Sequence, residues 1–87
     1  MKIRYSNNAL NQFAKIHKGD RKSTAMITRK LEQYAEHQSS ELDVRILKGR
    51  YDDMKRLRVG NYRIIFEETG EEMLVYEIRH RQEAYND

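Results

Sequence analysis

The chain has no cysteine, no proline and no tryptophan, and only four glycines in 87 residues. Without cysteine there can be no disulfide, no thiolate nucleophile and no cysteine-based zinc site, which agrees with a reducing cytoplasm. Without proline, or any run of glycine or serine, nothing marks a linker, so residues 1–87 read as one domain. A domain this small builds a modest core, which makes a bound partner an expected source of stability. No apolar run reaches membrane-spanning length, and the opening MKIRYSNN has no apolar signal-peptide core, so a cytoplasmic chain with no membrane partner is expected. The three histidines, His17, His37 and His80, lack ligand spacing, and neither a metal nor another cofactor is expected.

What the chain does have is charge. Lys and Arg number 17 against 14 Asp and Glu, a net charge of +3. Residues 1–46 hold nine cations against five acids, whereas residues 47–87 hold eight against nine. The acids of the second half gather at Glu67, Glu68, Glu71 and Glu72, around an expected turn. They stand apart from the cations of MKRLRVGNYRIIF, residues 54–66, and that separation points to a polyanionic partner.

Periodicity sets out an α+β order. Met1 to Tyr5 alternates as a short strand, and Ser6 caps a helix through about Lys18 with Leu10, Phe13 and Ala14 on one face. Gly19-Asp20 ends that helix and caps the next, in which Ile27, Leu31 and Tyr34 recur at helical spacing to about His37, beside Ala35. These two helices form a helical hairpin. His37 to Ser40 reads as loop, Leu42 to Leu47 as a short strand or extended link, and the remainder as a three-stranded antiparallel meander packed on the helices. Lys15, Lys18, Arg21, Lys22, Arg29 and Lys30 read most simply as solvated helix faces, with a cluster at the turn also able to grip rRNA phosphates.

The first β-hairpin can be registered from its turn. Gly60-Asn61 fits a type II′ turn, which sets Val59 against Tyr62, Arg58 against Arg63, Leu57 against Ile64 and Arg56 against Ile65. Leu57, Val59, Tyr62, Ile64 and Phe66 then share the core face, and Arg56, Arg58 and Arg63 the other. Like charges directly opposed cost roughly 0.2–1 kcal/mol per pair. Either an acid on the third strand, such as Glu77, neutralises the arginines, or they splay into water, or a phosphate supplies the missing charge. In the second hairpin, Glu68-Thr69-Gly70 or Thr69-Gly70 makes the turn. MLVY at 73–76 is apolar on both faces, so register is open there; Leu74, Tyr76 and Ile78 form the better core set, with Tyr34 and Tyr62 also in the core, placing Glu77 and Arg79 on the arginine face.

The element order, with RLRVGNYRIIFE followed by IRHRQEAY, resembles the RelE/ParE superfamily of bacterial type II toxin–antitoxin toxins, and specifically its RelE branch. The resemblance covers nearly the whole chain and implies a microbial ribonuclease-like fold, a ribosome-dependent mRNA endonuclease acting in the A site, and a cognate antitoxin. Carried over, the Arg of the family's YR motif is Arg63, that of its HR segment is Arg81, and the C-terminal Tyr is Tyr85; Arg79 is a second candidate for the C-terminal Arg. Of the family's basic pair before the hairpin, Arg56 matches the second position, while Met54 stands at the first with Lys55 beside it. Arg63, Arg81, Tyr85 and His80 are therefore the expected catalytic set, and Lys55, Arg56, Arg58 and Arg79 the expected RNA contacts. Among proton-transfer groups, His80, Glu77, Glu83 and Tyr85 are open; the resemblance implies Tyr85, as base or as a stacking ring. The alternatives are a ParE-like gyrase inhibitor of the same fold that cuts no RNA, and a non-catalytic binding module.

Overall fold

In a computed structural model, residues 1–38, 40–47 and 54–81 are described. Seven elements follow in chain order: β1 (Lys2–Tyr5), α1 (Asn7–Gly19), α2 (Arg21–Ala35), β2 (Asp43–Ile46), β3 (Met54–Val59), β4 (Tyr62–Thr69) and β5 (Glu72–His80). The strands form one five-stranded sheet in the order β1-β5-β4-β3-β2, so the meander is extended at both edges. At one edge β1 pairs parallel to β5, and at the other β2 pairs antiparallel to β3.

The helices begin and end where local chemistry satisfies their free backbone groups. The Ser6 hydroxyl accepts from Ala9 N at 3.0 Å and donates to Tyr76 O at 2.8 Å, so one side chain caps α1 and ties it to β5. Asp20 accepts from Ser23 N at 3.1 Å and from the Ser23 hydroxyl at 2.6 Å, capping α2 immediately after α1 stops. Beyond α2, His37 takes a positive φ of 63°, which lets His37 N and Gln38 N return to Tyr34 O and Gln33 O.

One face of the sheet carries the core: Leu57, Val59, Ile64, Phe66, Met73, Val75 and Ile78 pack under Ala9, Ile27, Leu31 and Tyr34. The expected inward face of α1 is rotated. Leu10 is 51 % exposed and Ala14 is exposed, while Ala9, Phe13 and Ile16 point to the sheet. The rotation is fixed by Ser6 and by Gln12, whose Oε1 accepts from Ile78 N at 2.7 Å, and the small Ala9 permits the close approach.

The β3–β4 register is the one read from the turn, Val59 against Tyr62 through Arg56 against Ile65. Gly60 has a φ of 56° and Asn61 a negative one, as a type II′ turn requires. The second hairpin differs twice. Its turn is Gly70-Glu71, with Thr69 facing Glu72, because Gly70 supplies the positive φ of 56° at the first central position. A register shift between Ile65 and Phe66 then sets Ile65 against Glu77 but Phe66 against Val75. Met73 and Val75 therefore join Ile78 in the core, while Leu74 and Tyr76 turn outward, and Tyr76 Oη donates to Glu67 at 2.9 Å.

Candidate nucleic-acid interface

The register builds the site. Arg58 on β3 faces Arg63 on β4, and Arg63 faces Arg79 on β5, so three guanidiniums cross the outer sheet face in one row. The neighbouring row holds Arg56, Ile65 and Glu77. Two of these four arginines have partners that the fold supplies. Arg79 Nη2 lies 3.0 Å from Glu77 Oε2 on its own strand, and Arg56 Nη2 lies 3.3 Å from Asp43 Oδ1 on β2. Arg56 is only 7 % exposed, as is Ile65 opposite, so this part of the outer face is closed rather than wet.

Arg58 and Arg63 are different. Glu77, the acid expected to neutralise them, is taken by Arg79, and among the described residues neither has an ion-pair partner. At the turn end of the hairpin they border a cleft of about 250 Å³ whose other walls are Gly60, Asn61, Tyr62 and Arg81. Arg81 is held there by its backbone N–H, which donates to Asn61 O. Among the described residues no acid lines this cleft. Three planar cations around an acid-free recess can bind a phosphate through several charge-assisted hydrogen bonds at once.

The other expected residues fall elsewhere. Lys55 lies on the opposite face of β3, where Nζ donates to Tyr34 Oη at 3.1 Å and to Glu68 Oε1 at 3.0 Å; Tyr34 Oη also donates to Glu68 Oε1 at 2.5 Å. Hydrogen bonds from Tyr34 and then Lys55 pull the Glu68 carboxyl below its ordinary range, and the Lys55 ammonium is raised by the same contacts. Burial, followed by the Glu68 contact, raises the Tyr34 phenol. This is a latch from α2 to the sheet. His80 faces Tyr62 across β4 and β5, its ring edge-on to the tyrosine at 5.2 Å, on the helix side and outside the arginine row. Tyr85 and Glu83 lie outside the described residues. Sequence reasoning assigned Tyr62 to the core alone and passed over Asn61 and Gly60; the turn's own carbonyl and backbone form a wall of the cleft. Among the described residues no cluster could hold a metal ion.

A family model described as the ParE toxin of the type II toxin–antitoxin system parDE matches residues 3–85. The chain belongs to that family. It is a toxin of a type II toxin–antitoxin system in the RelE/ParE superfamily. Solved structures carry the same fold: a YoeB/ParE toxin from Agrobacterium tumefaciens has 15 % identity and a TM-score of 0.79 over 92 % of this chain and 98 % of that one. The RelB-RelE antitoxin-toxin complex from Methanococcus jannaschii has 24 % identity and a TM-score of 0.69 over 94 % of both chains. The YoeB-YefM toxin-antitoxin heterotetramer from Staphylococcus aureus has 14 % identity and a TM-score of 0.78 over 92 % and 95 %. Compared by sequence with curated proteins, the family member has no match. No helix among its described residues is long and apolar enough to cross a membrane.

Proposed function

We propose that this toxin cleaves mRNA in the ribosomal A site and so arrests translation, with its RNA substrate seated across Arg58, Arg63 and Arg81. The observation that carries the reading is the arginine cleft, because among the described residues no acid offsets its opposed like charges and an anion from outside would do so. The resemblance to the RelE branch supplies the reaction. The RNA's 2′-oxygen attacks the adjacent phosphorus as the bond to the 5′-oxygen breaks. One proton leaves the 2′-hydroxyl, one reaches the 5′-oxygen, and a 2′,3′-cyclic phosphate remains.

Arg63 and Arg81 stabilise the extra charge on the phosphorane, and Arg58 anchors a neighbouring phosphate. Tyr85, by resemblance, serves as the base or stacks the nucleotide. His80 is its rival for proton transfer, but its position beside Tyr62 on the helix side weakens that claim. A cognate antitoxin in the cytoplasm covers the cleft or displaces the Tyr85 tail. The antitoxin complexes among the fold's relatives support this partner.

The test is primer extension on cellular mRNA after brief induction without antitoxin. Discrete cuts within translated frames are expected, together with translation arrest ahead of any loss of DNA synthesis. The ParE description of the matching family supports a second reading, poisoning of DNA gyrase. Intact mRNA with DNA-damage signalling would replace the first reading with that one.

A further inference from the structure

Beyond Val75, β5 outruns its parallel neighbour. β1 pairs with it only from Glu72 to Val75, and from there α1 takes over: the Ser6 hydroxyl donates to Tyr76 O at 2.8 Å, and Gln12 Oε1 accepts from Ile78 N at 2.7 Å. Arg81, which lines the cleft, lies beyond both of these ties. A strand end held by a single neighbouring strand opens more readily than the middle of a sheet. The place of the Arg81 guanidinium therefore depends on how the last rung of the β4–β5 ladder is fastened.

That rung is Tyr62 opposite His80. Their rings meet edge-on, with centroids 5.2 Å apart and planes at 87°, an arrangement that aromatic quadrupoles favour. Tyr62 is itself packed against the core, so the ring that receives His80 is anchored. Just past the rung, Arg81 N donates to Asn61 O. Alternation sets His80 and Arg81 on opposite sides of the sheet's end, His80 towards the helices and Arg81 with Arg63 at the cleft. A contact on the inner side of the rung thus fixes what stands on the outer side.

We propose that His80 is a positioning residue: its ring, seated on Tyr62, holds the end of β5 to the Gly60-Asn61 turn and keeps the Arg81 guanidinium beside Arg63, a role in catalysis that rests on the mRNA cleavage proposed above. This task needs no proton. A general acid or base must come within hydrogen-bond reach of the reacting oxygens, and a side chain on the helix side of the rung is turned away from the cleft.

The variants that test this in the full chain are His80→Phe, His80→Ala, and His80→Ala combined with Arg81→Ala. Phenylalanine remakes an edge-on ring contact but carries no exchangeable proton. On ribosomes programmed with mRNA, His80→Ala lowers kcat by on the order of tenfold with KM within about twofold of wild type, because the displaced group acts on charge that develops only in the transition state. His80→Phe restores kcat to within about threefold of wild type. In the Arg81→Ala background, His80→Ala costs no more than about a further twofold, since the guanidinium it acts through is already gone. Equal losses of about 10²-fold in His80→Phe and His80→Ala overturn the proposal in favour of proton transfer. Losses that multiply in the double variant overturn it in favour of a role separate from Arg81.

Amide hydrogen exchange gives a readout that needs no activity. In His80→Ala the Arg81 N–H, bonded to Asn61 O, exchanges at least about tenfold faster, while in His80→Phe it keeps the wild-type rate. The Ile78 N–H, held by Gln12, stays protected in both. Arg81 exchange that ignores His80→Ala overturns the proposal, and so does Ile78 exchange that rises with it, which would make His80 a support of the whole strand. A wild-type chain that cuts no mRNA but shows the expected exchange pattern removes the proposed function and leaves the clasp at the end of β5 standing.

Discussion

The two ends of the β3–β4 hairpin treat charge in opposite ways. At the open end, Lys55 and Glu68 close on each other and on Tyr34 from α2, so both charges have a partner and a helix is fastened to the sheet. At the turn end, Arg58 faces Arg63 beside Arg81, with no acid among the described residues of the cleft. Arg56 lies between them and is drawn to the structural side by Asp43 and by burial. Cations only a few residues apart on one strand thus do different work. What divides them is which face they occupy and whether an acid reaches them.

The largest effect should come from the turn end, in activity alone. Arg63→Ala removes a cation from the proposed phosphorane site and should lower mRNA cleavage in a translating extract by on the order of 10²-fold or more. Because it also relieves repulsion with Arg58 and Arg79, its melting temperature should equal or exceed that of wild type. A variant that melts lower and cuts normally would assign Arg63 to the fold and erase the contrast between the two ends.

At the open end the same kind of change should act on stability alone. Tyr34→Phe deletes a hydroxyl that bonds both a carboxylate and an ammonium, but leaves Lys55 and Glu68 paired at 3.0 Å. A loss of about 1–2 kcal/mol is expected, with cleavage unchanged, and the melting temperature should fall by roughly 4–8 °C per kcal/mol in a domain of this size. Thermal melts and cleavage rates of this variant, set beside those of Arg63→Ala, should separate in opposite directions.

Much of this arrangement is legible in the sequence, and the exceptions have physical causes. Gly60-Asn61 fixes a local two-residue turn, so the pairing of Arg58 with Arg63 follows from adjacent residues alone. The helices carry their own caps in Ser6 and Asp20. The apolar pattern misplaces Leu74 and Tyr76 in the core, because residues 73–76 are apolar on both faces and the bulge that chooses between them depends on β4. The parallel pairing of β1 with β5 joins residues some 70 positions apart, and no local pattern announces it. For the site, residue type identified the arginines, but only the third dimension showed that Asp43 captures Arg56, that Tyr34 captures Lys55, and that Arg58 and Arg63 stay uncompensated.

The latch should also give the open end a pH signature. The Glu68 carboxyl is lower in the folded state than in the unfolded chain, through Tyr34 and then Lys55. Its contribution is therefore complete above the unfolded carboxylate value and is lost as pH falls through the lowered one. Lys55 is raised, by Tyr34 and then Glu68, so its contribution is complete below the unfolded lysine value and is lost as pH rises through the raised one. Denaturation midpoints should show a plateau across neutral pH, and Glu68→Gln should flatten the acid side. An acid limb of unchanged steepness in that variant would mean that the latch does not hold the end of α2.

The smallest effect belongs to Arg58, and it probes how far spare charge and catalytic charge coincide. Arg58 stands opposite Arg63 and lines the same cleft, yet matches no catalytic position of the RelE branch. Arg58→Ala removes one side of a like-charge pair, so stability should rise by roughly 0.2–1 kcal/mol. Cleavage should fall by about tenfold or less, as for loss of an anchoring contact of about 1 kcal/mol rather than of a group on the reacting phosphate. If Arg58→Ala instead lost as much activity as Arg63→Ala, the cleft would act as one charge cluster with no division between anchor and reacting site. If it lost stability, then Asp43, which lies opposite Arg58 in the β2–β3 register, would be holding that arginine as well as Arg56, and the boundary between the two ends would move one residue toward the turn.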